Sequence, residues 1–278
     1  MKIFGHTVSP MYLWVIALLS ALAALSSYTL REVPIALIIG TALAACVEIA
    51  LRAFYLRQTF KIPFSGIITG IIIGSVAPIN APLAAVVLAV LIGVLSKFLL
   101  QHRSVNILNP ASIGLLVSLP LFGLGDEWWA AGNYNMYGMA ISLTPILIVL
   151  AYSARRLTAA ASFIIVMFVF EIAFGALSQG FSAAALASML FGINYFFAFV
   201  MLTEPKTSPH PRRAQALYGA AVALMFVILA FSRLPYPLLI ALLAGNVLYF
   251  AYKKYLRGRT LSPYIPKPLN IILFNSSH

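Results

Sequence analysis

PFSGIITGIIIGSVAPINAP (63–82) is a short apolar run with a glycine at every fourth residue and two prolines at its end. At that spacing Gly66, Gly70 and Gly74 share one face of a helix, and a face of glycines lets another helix approach closely. Pro78 and Pro82 recur 127 residues later as Pro205 and Pro209, and Pro110 recurs as Pro237. A displacement of nearly half the chain reads as an internal repeat.

The rest of the chain supports a membrane reading. Of its 278 residues 62% are hydrophobic and 9% charged. No soluble domain of this size could bury so much apolar surface, so the chain is read as an all-α polytopic membrane protein. Ten hydrophobic segments follow, at 11–29, 34–51, 64–77, 82–100, 108–122, 138–153, 158–177, 183–201, 214–231 and 235–252. The third and fifth are short against the roughly 20 residues that a span requires. No linker or soluble insert interrupts them, so 1–278 is one membrane domain with pseudo-repeats 1–130 and 131–278. Five is odd, so the second half lies upside down relative to the first. Such inverted repeats place their working site near the bilayer midplane, where the halves meet.

Charge gives the orientation. Lys2, Arg52, Arg57, Lys61, Lys97, Arg103, Arg155, Arg156, Lys206, Arg212, Arg213 and the tail cations Lys253, Lys254, Arg257, Arg259 and Lys267 all fall at the termini or on even-numbered loops. Only Arg31 and Arg233 fall on odd ones. That asymmetry predicts cytoplasmic N- and C-termini in a prokaryotic plasma (inner) membrane. It places APINAP (77–82) outside and EPKTSP (204–209) in the cytoplasm. The net charge of +12 therefore speaks for the bilayer, with no nucleic-acid partner, and the basic tail also reads as a surface for anionic lipid. The first segment, although preceded by Lys2, is read as a retained span rather than a cleaved signal.

Redox and metal chemistry are bounded by few residues. Cys46 is the only cysteine, so an intrachain disulfide and a cysteine-held iron–sulfur cluster are excluded. His6, His102, His210 and His278 fall in loops or termini, so no buried bis-histidine haem is expected and no metal site is read. If this chain moves electrons, a flavin is the better carrier.

Other residues carry alternatives. The Gly66–Gly70–Gly74 face serves helix packing or lies against a cofactor ring. Asn109–Pro110 opens segment five with proline in the first turn and an asparagine cap. The helix start is then an ordinary capped terminus or a site for a phosphate or carbonyl. Glu171 is the only acid well inside a segment, so it is protonated, paired or facing a polar cavity, and it is the candidate for coupling to H⁺ or Na⁺. Glu48 with Arg52 at i+4 reads as a pair reaching the cytoplasmic interface. Trp128 and Trp129 read as an outer interfacial anchor or a lid, and Trp14 as a similar anchor or a lipid-facing side chain.

PFSGIITGIIIGSVAP (63–78), NILNPASIGLLV (106–117) and FVMLTEPKTSPHPRRAQALYGA (199–220) together resemble motifs of one family. That family holds RnfD, a membrane component of the Rnf electron-transport complex, and NqrB, a membrane component of the Na⁺-pumping NADH:quinone reductase. The matching motifs are Ser-Gly-x-x-Thr-Gly before proline, Asn-Pro-Ala, and Thr-Asp-Pro with a basic loop, where Glu204 replaces the usual Asp. The resemblance implies about ten transmembrane helices in two inverted five-helix repeats, akin to urea transporters. It also implies membrane electron transfer through FMN, with ion pumping in some members. The family attaches FMN to a threonine in the loop between its repeats. The corresponding loop, GLGDEWWAAGNYNMYGM (123–139), has no threonine, so no covalent FMN threonine is assigned. FMN or another flavin is expected non-covalently, with Ser65, Gly66, Thr69, Gly70, Asn109, Pro110, Thr203, Glu204 and Pro205 as its candidate contacts.

Two functions remain open at this point, beside a purely structural membrane subunit, against which the deep Glu171 and the paired motifs argue. One is an integral membrane subunit of an Rnf/Nqr-like complex, passing electrons through flavin and coupled to Na⁺ or H⁺ movement. The chain has no dinucleotide fingerprint and cannot oxidise NADH unaided, so it is at most a subunit that needs other membrane and cytoplasmic redox subunits. The alternative is a small-solute or ion transporter or channel on the same scaffold without redox activity.

Overall fold

The computed structural model describes residues 2–3, 6–7, 10–57, 60–102, 105–131, 145, 147–178 and 192–256. The helices are α1 Pro10–Leu30, α2 Ile35–Phe54, α3 Phe64–Val76, α4 Leu83–Leu99, α5 Pro110–Leu121, α6 Leu157–Ser178, α7 Arg212–Phe231 and α8 Pro237–Ala251. Residues 147–153 are also helical. The chain is a multi-pass membrane protein: α1, α2, α6 and α7 are each long and apolar enough to span a bilayer, and α3, α4 and α5 are shorter apolar helices. Residues 138–144 of the sixth expected segment and 183–191 of the eighth lie outside the described residues.

Proline starts most of these helices. Pro34, Pro63, Pro82 and Pro211 precede α2, α3, α4 and α7, while Pro110 and Pro237 are the first residues of α5 and α8. The first N–H groups of a helix have no intrahelical acceptor, so a residue without N–H costs nothing there. Wider helical turns occur at Phe197–Met201 and Tyr252–Leu256. Asn194 caps the first of them, accepting from the Phe197 N–H at 2.8 Å. Short antiparallel ladders pair Lys2–Ile3 (β1) with His6–Thr7 (β2) and Gln101–His102 (β3) with Val105–Asn106 (β4).

Close helix approach sets the packing. A Cβ on Gly66 would lie 2.7 Å from the Ala44 carbonyl oxygen, one on Gly70 2.6 Å from Thr41 Cα, and one on Gly74 2.5 Å from Leu37 Cα. The glycine face of α3 is therefore filled by α2 along its length. Gly114 of α5 sits equally close to α4, and Gly219 of α7 to α6, each with a virtual Cβ 2.2 Å from a carbonyl oxygen, of Ala89 and Ala159 respectively. The outward faces are apolar, with Ile38, Ile165, Val169, Leu224 and Ile228 exposed. Trp14 is also exposed, consistent with a lipid-facing side chain.

Trp128 and Trp129 overturn the expectation of an interfacial anchor. Both are buried. The Trp129 indole N–H donates to the Gly74 carbonyl at 2.7 Å, and the Trp128 ring meets Phe196 and Phe197 edge-on at 6.4 and 5.9 Å. The Glu127 and Trp128 N–H groups both donate to the Val76 carbonyl, while the Glu127 carboxylate accepts from the Ile79 N–H at 3.0 Å. The segment after α5 thus closes the C-terminal end of α3, a carbonyl terminus that would otherwise lack partners.

Gly114→Ala and Gly219→Ala are each expected to destabilise the protein by about 1–3 kcal/mol through overpacking. Gly125→Ala, at a position with open space around it, is expected to be neutral. Unfolding by SDS titration in mixed micelles reads all three.

Candidate functional site

The site assembles at the start of α5. Asn109 is in extended backbone and buried. Its side-chain oxygen accepts from the Ser112 N–H at 2.9 Å, the ordinary cap expected of Asn-Pro. Its side-chain NH₂ donates to Glu204 Oε2 at 2.9 Å and to the Met201 carbonyl at 3.4 Å. Its own N–H donates to Asn246 Oδ1 at 2.9 Å, and Asn246 in turn donates to the Tyr218 hydroxyl at 2.6 Å. One side chain therefore joins α5 to the 202–211 loop, with α7 and α8 behind it.

The loop is ordered from within. The Ser208 hydroxyl donates to the Glu204 carbonyl at 2.7 Å, and the Thr207 hydroxyl donates to Glu204 Oε2 at 3.2 Å. The Thr203 hydroxyl donates back to the Phe199 carbonyl. Arg156, buried, clamps the far side, with Nε donating to Ser208 Oγ at 3.0 Å and Nη2 to the Pro205 carbonyl at 3.4 Å. Gln215 of α7 donates to the carbonyls of Arg155 and His210 at 2.9 and 2.7 Å. Burial raises the pKa of the Glu204 carboxyl, with Lys206 and Lys97 pulling it down.

A second polar cluster lies between α2, α3 and α4. Glu48 is 1% exposed. It pairs with Arg52 on its own helix, and its Oε2 lies 3.5 Å from Lys97 Nζ. That ammonium donates to the Ser65 carbonyl at 2.7 Å and to Ser65 Oγ at 3.0 Å. Thr69, one turn on, spends its hydroxyl on the same Ser65 carbonyl at 2.9 Å. Lys97 and Glu204 are near enough to bias each other's charge, so the two clusters form one electrostatic neighbourhood.

Three sequence expectations change here. Lys97 was expected in a loop, but it lies in the last turn of α4 and is buried. Glu48 was expected to reach the interface with Arg52, but it faces inward, where Lys97 supplies a partner. Gly66 and Gly70 present their open face to α2, which leaves no room for a ring on that face. Asn109, Pro110, Thr203, Glu204 and Pro205 do come together, and Ser65 and Thr69 reach them only by way of Lys97. Glu171 is half-buried in α6 and makes no hydrogen bond or ion pair with a described residue. Asn246, Tyr218, Arg156 and Gln215 were missed. Asn246, a lone amide inside the apolar run 235–252, was the available signal.

As a flavin site the junction fits in chemistry but not in room. Amide, hydroxyl and carboxyl groups converge there, as recognition of a heteroaromatic edge requires. The recess beside Asn246 and Thr207 has a volume of about 20 Å³, whereas organic ligands occupy pockets of roughly 300 Å³ and more. Among the described residues no group of metal-ligating side chains is present.

Residues 129–262 match the model of the NQR2, RnfD, RnfE family, which bears out the resemblance over that stretch. The match contains Trp129, Arg156, the 203–209 motif, Tyr218 and Asn246. No curated protein matches the chain significantly.

Removing Asn246 leaves the Asn109 N–H and the Tyr218 hydroxyl without partners. Asn246→Ala is expected to cost about 1–3 kcal/mol, and Asn246→Leu no less. Removing one charge of a buried pair strands the other, so Glu48→Ala is expected to cost about 3–5 kcal/mol, and Glu48→Ala with Lys97→Met less than Glu48→Ala alone. The same SDS titration measures both series.

Proposed function

We propose that this chain is the integral membrane subunit of an Rnf/Nqr-like electron-transport complex in a prokaryotic plasma membrane. The observation that carries the reading is the Asn109–Glu204 contact, in which the Asn-Pro-Ala and Thr-Glu-Pro motifs meet as one polar junction. The match of residues 129–262 to the NQR2, RnfD, RnfE family supports it.

The proposed layout is about ten spans in two inverted halves, 1–130 and 131–278, with both termini cytoplasmic. Several features support that layout. Pro110 and Pro237, 127 residues apart, both open helices. Arg31 and Arg155 end the first and sixth spans alike, in left-handed backbone with φ of 56°. The distribution of lysine and arginine gives the two halves opposite orientations.

The junction's residues have definable tasks. Asn109 and Asn246 hold the start of α5 against α7 and α8, Arg156 holds the loop, and the buried contacts keep water out. Glu204 and Lys97 are titratable groups able to hold or pass a proton beside it. Glu171 is the separate coupling candidate for Na⁺ or H⁺. A non-covalent flavin is the carrier that this reading implies, and when bound it would supply one- and two-electron chemistry. That part rests on the resemblance, because the junction as packed does not admit a ring. Other membrane and cytoplasmic redox subunits complete the complex, since the sequence carries no dinucleotide fingerprint.

The second reading is a solute transporter or channel without redox activity, and the threonine-free loop 123–139 favours it. The absorbance and mass spectra of protein purified from its native membrane distinguish the two. Flavin absorbance that is released by denaturation, together with co-purifying redox subunits, is expected. A colourless protein, purified alone, that moves a solute into liposomes would replace the first reading with the second.

A further inference from the structure

A basic notch lies beside the 202–211 loop, next to Asn246. Its polar lining includes His102, Asn106, Lys206, Thr207, Asn246 and Lys253. It is framed by the β3–β4 hairpin, the loop and the wide turn that follows α8. Its volume of about 20 Å³ is enough for one water-sized atom such as an oxygen.

Among the described residues, one buried donor of the notch lacks a partner. Asn106 is 6% exposed, and its side-chain NH₂ has no hydrogen-bond partner among the described residues. A buried donor left unpaired costs roughly 1–3 kcal/mol, so something is expected to meet it. Asn246 and Thr207 have already spent their polar groups on Asn109, Tyr218 and Glu204. Lys206 makes no ion pair with a described residue, and Lys253 lies over the Tyr249 ring at 5.7 Å. The His102 ring packs edge-on to Phe250 at 5.7 Å. Arg156 adds positive charge from behind, and burial together with Arg156 lowers the pKa of Lys253. The one acid close by, Glu204, is turned to Asn109 and Thr207.

We infer that this notch binds a phosphate group. One phosphate oxygen enters the recess and accepts from Asn106, while the remaining oxygens lie between the ammonium groups of Lys206 and Lys253 at the mouth, with His102 beside them. Several donors around one point suit a tetrahedral group with several oxygens, and lysine binds phosphate as a point charge. The phosphate comes from an anionic lipid or from a soluble phosphate. The inference stands apart from the electron-transport reading and survives its failure.

The test is the melting temperature of the purified full chain in nanodiscs. One arm compares phosphatidylcholine discs with discs that also contain phosphatidylglycerol. The other adds inorganic phosphate to phosphatidylcholine discs, against sodium chloride at equal ionic strength. The unsubstituted protein is expected to melt several degrees higher in at least one arm, and the arm that responds identifies the source. Lys206→Gln/Lys253→Gln is expected to bind roughly thirty-fold more weakly, at about fivefold for each charge, and to lose the shift. Asn106→Asp, which puts a carboxylate at the floor, is expected to lose it too. Lys61→Gln, exposed and outside the notch, is expected to keep it. No shift in either arm, or an equal shift in the double variant, overturns the inference.

Discussion

Helix α5 begins inside the protein, and its first N–H groups have no bulk water to bond with. An unsatisfied backbone donor in a membrane interior costs several kcal/mol, so such a start needs protein partners. Asn109 provides the solution. Its oxygen accepts from Ser112, its amide reaches Glu204 and Met201, and its own N–H is taken by Asn246. Proline at the next position removes one further donor that would have needed a partner. The 202–211 loop and the polar residues of α7 and α8 are where they are because this helix terminus requires them.

The same logic explains the buried charges. Glu48 and Lys97 occupy neighbouring helices at a depth where either alone would be costly. They are tolerated because Arg52 and Ser65 complete their bonding. Lys97 also lies within electrostatic reach of Glu204. A protonation change at the loop would therefore be felt in the α2–α3–α4 cluster. This is the sort of link that a subunit coupling electron flow to ion movement would need, and it joins two motifs that are far apart in sequence.

Much of this was legible in the residues. Hydropathy located the helices, and the proline spacing marked where α5 and α8 start. The Asn-Pro cap and the close glycine packing followed from local chemistry, and the grouping of the two motifs from the family resemblance. The remainder depended on which neighbour a side chain meets. Lys97 looked like a loop charge because hydropathy cannot tell that Glu48 waits across the helix interface. Trp128 and Trp129 looked like interface anchors because their sequence neighbours are acids, whereas the partners that matter are the Gly74 carbonyl and Phe196–Phe197. Gly66 and Gly70 could serve a cofactor or a helix equally well until α2 was found against them. Asn246 offered only its own polarity in an apolar run.

The central claim is that Asn109 and Glu204 act as one bonded unit joining the two motif regions. A double-mutant cycle of Asn109→Ala and Glu204→Ala, read as unfolding free energy in mixed micelles, tests it directly. Hydrogen bonds between helices in membranes measure about 0.6 kcal/mol on average and about 1.7 at most. Because Glu204 is an acid with a second bond to Thr207, a coupling of about 1 kcal/mol or more is predicted. Additivity of the two substitutions within about 0.3 kcal/mol would contradict the account.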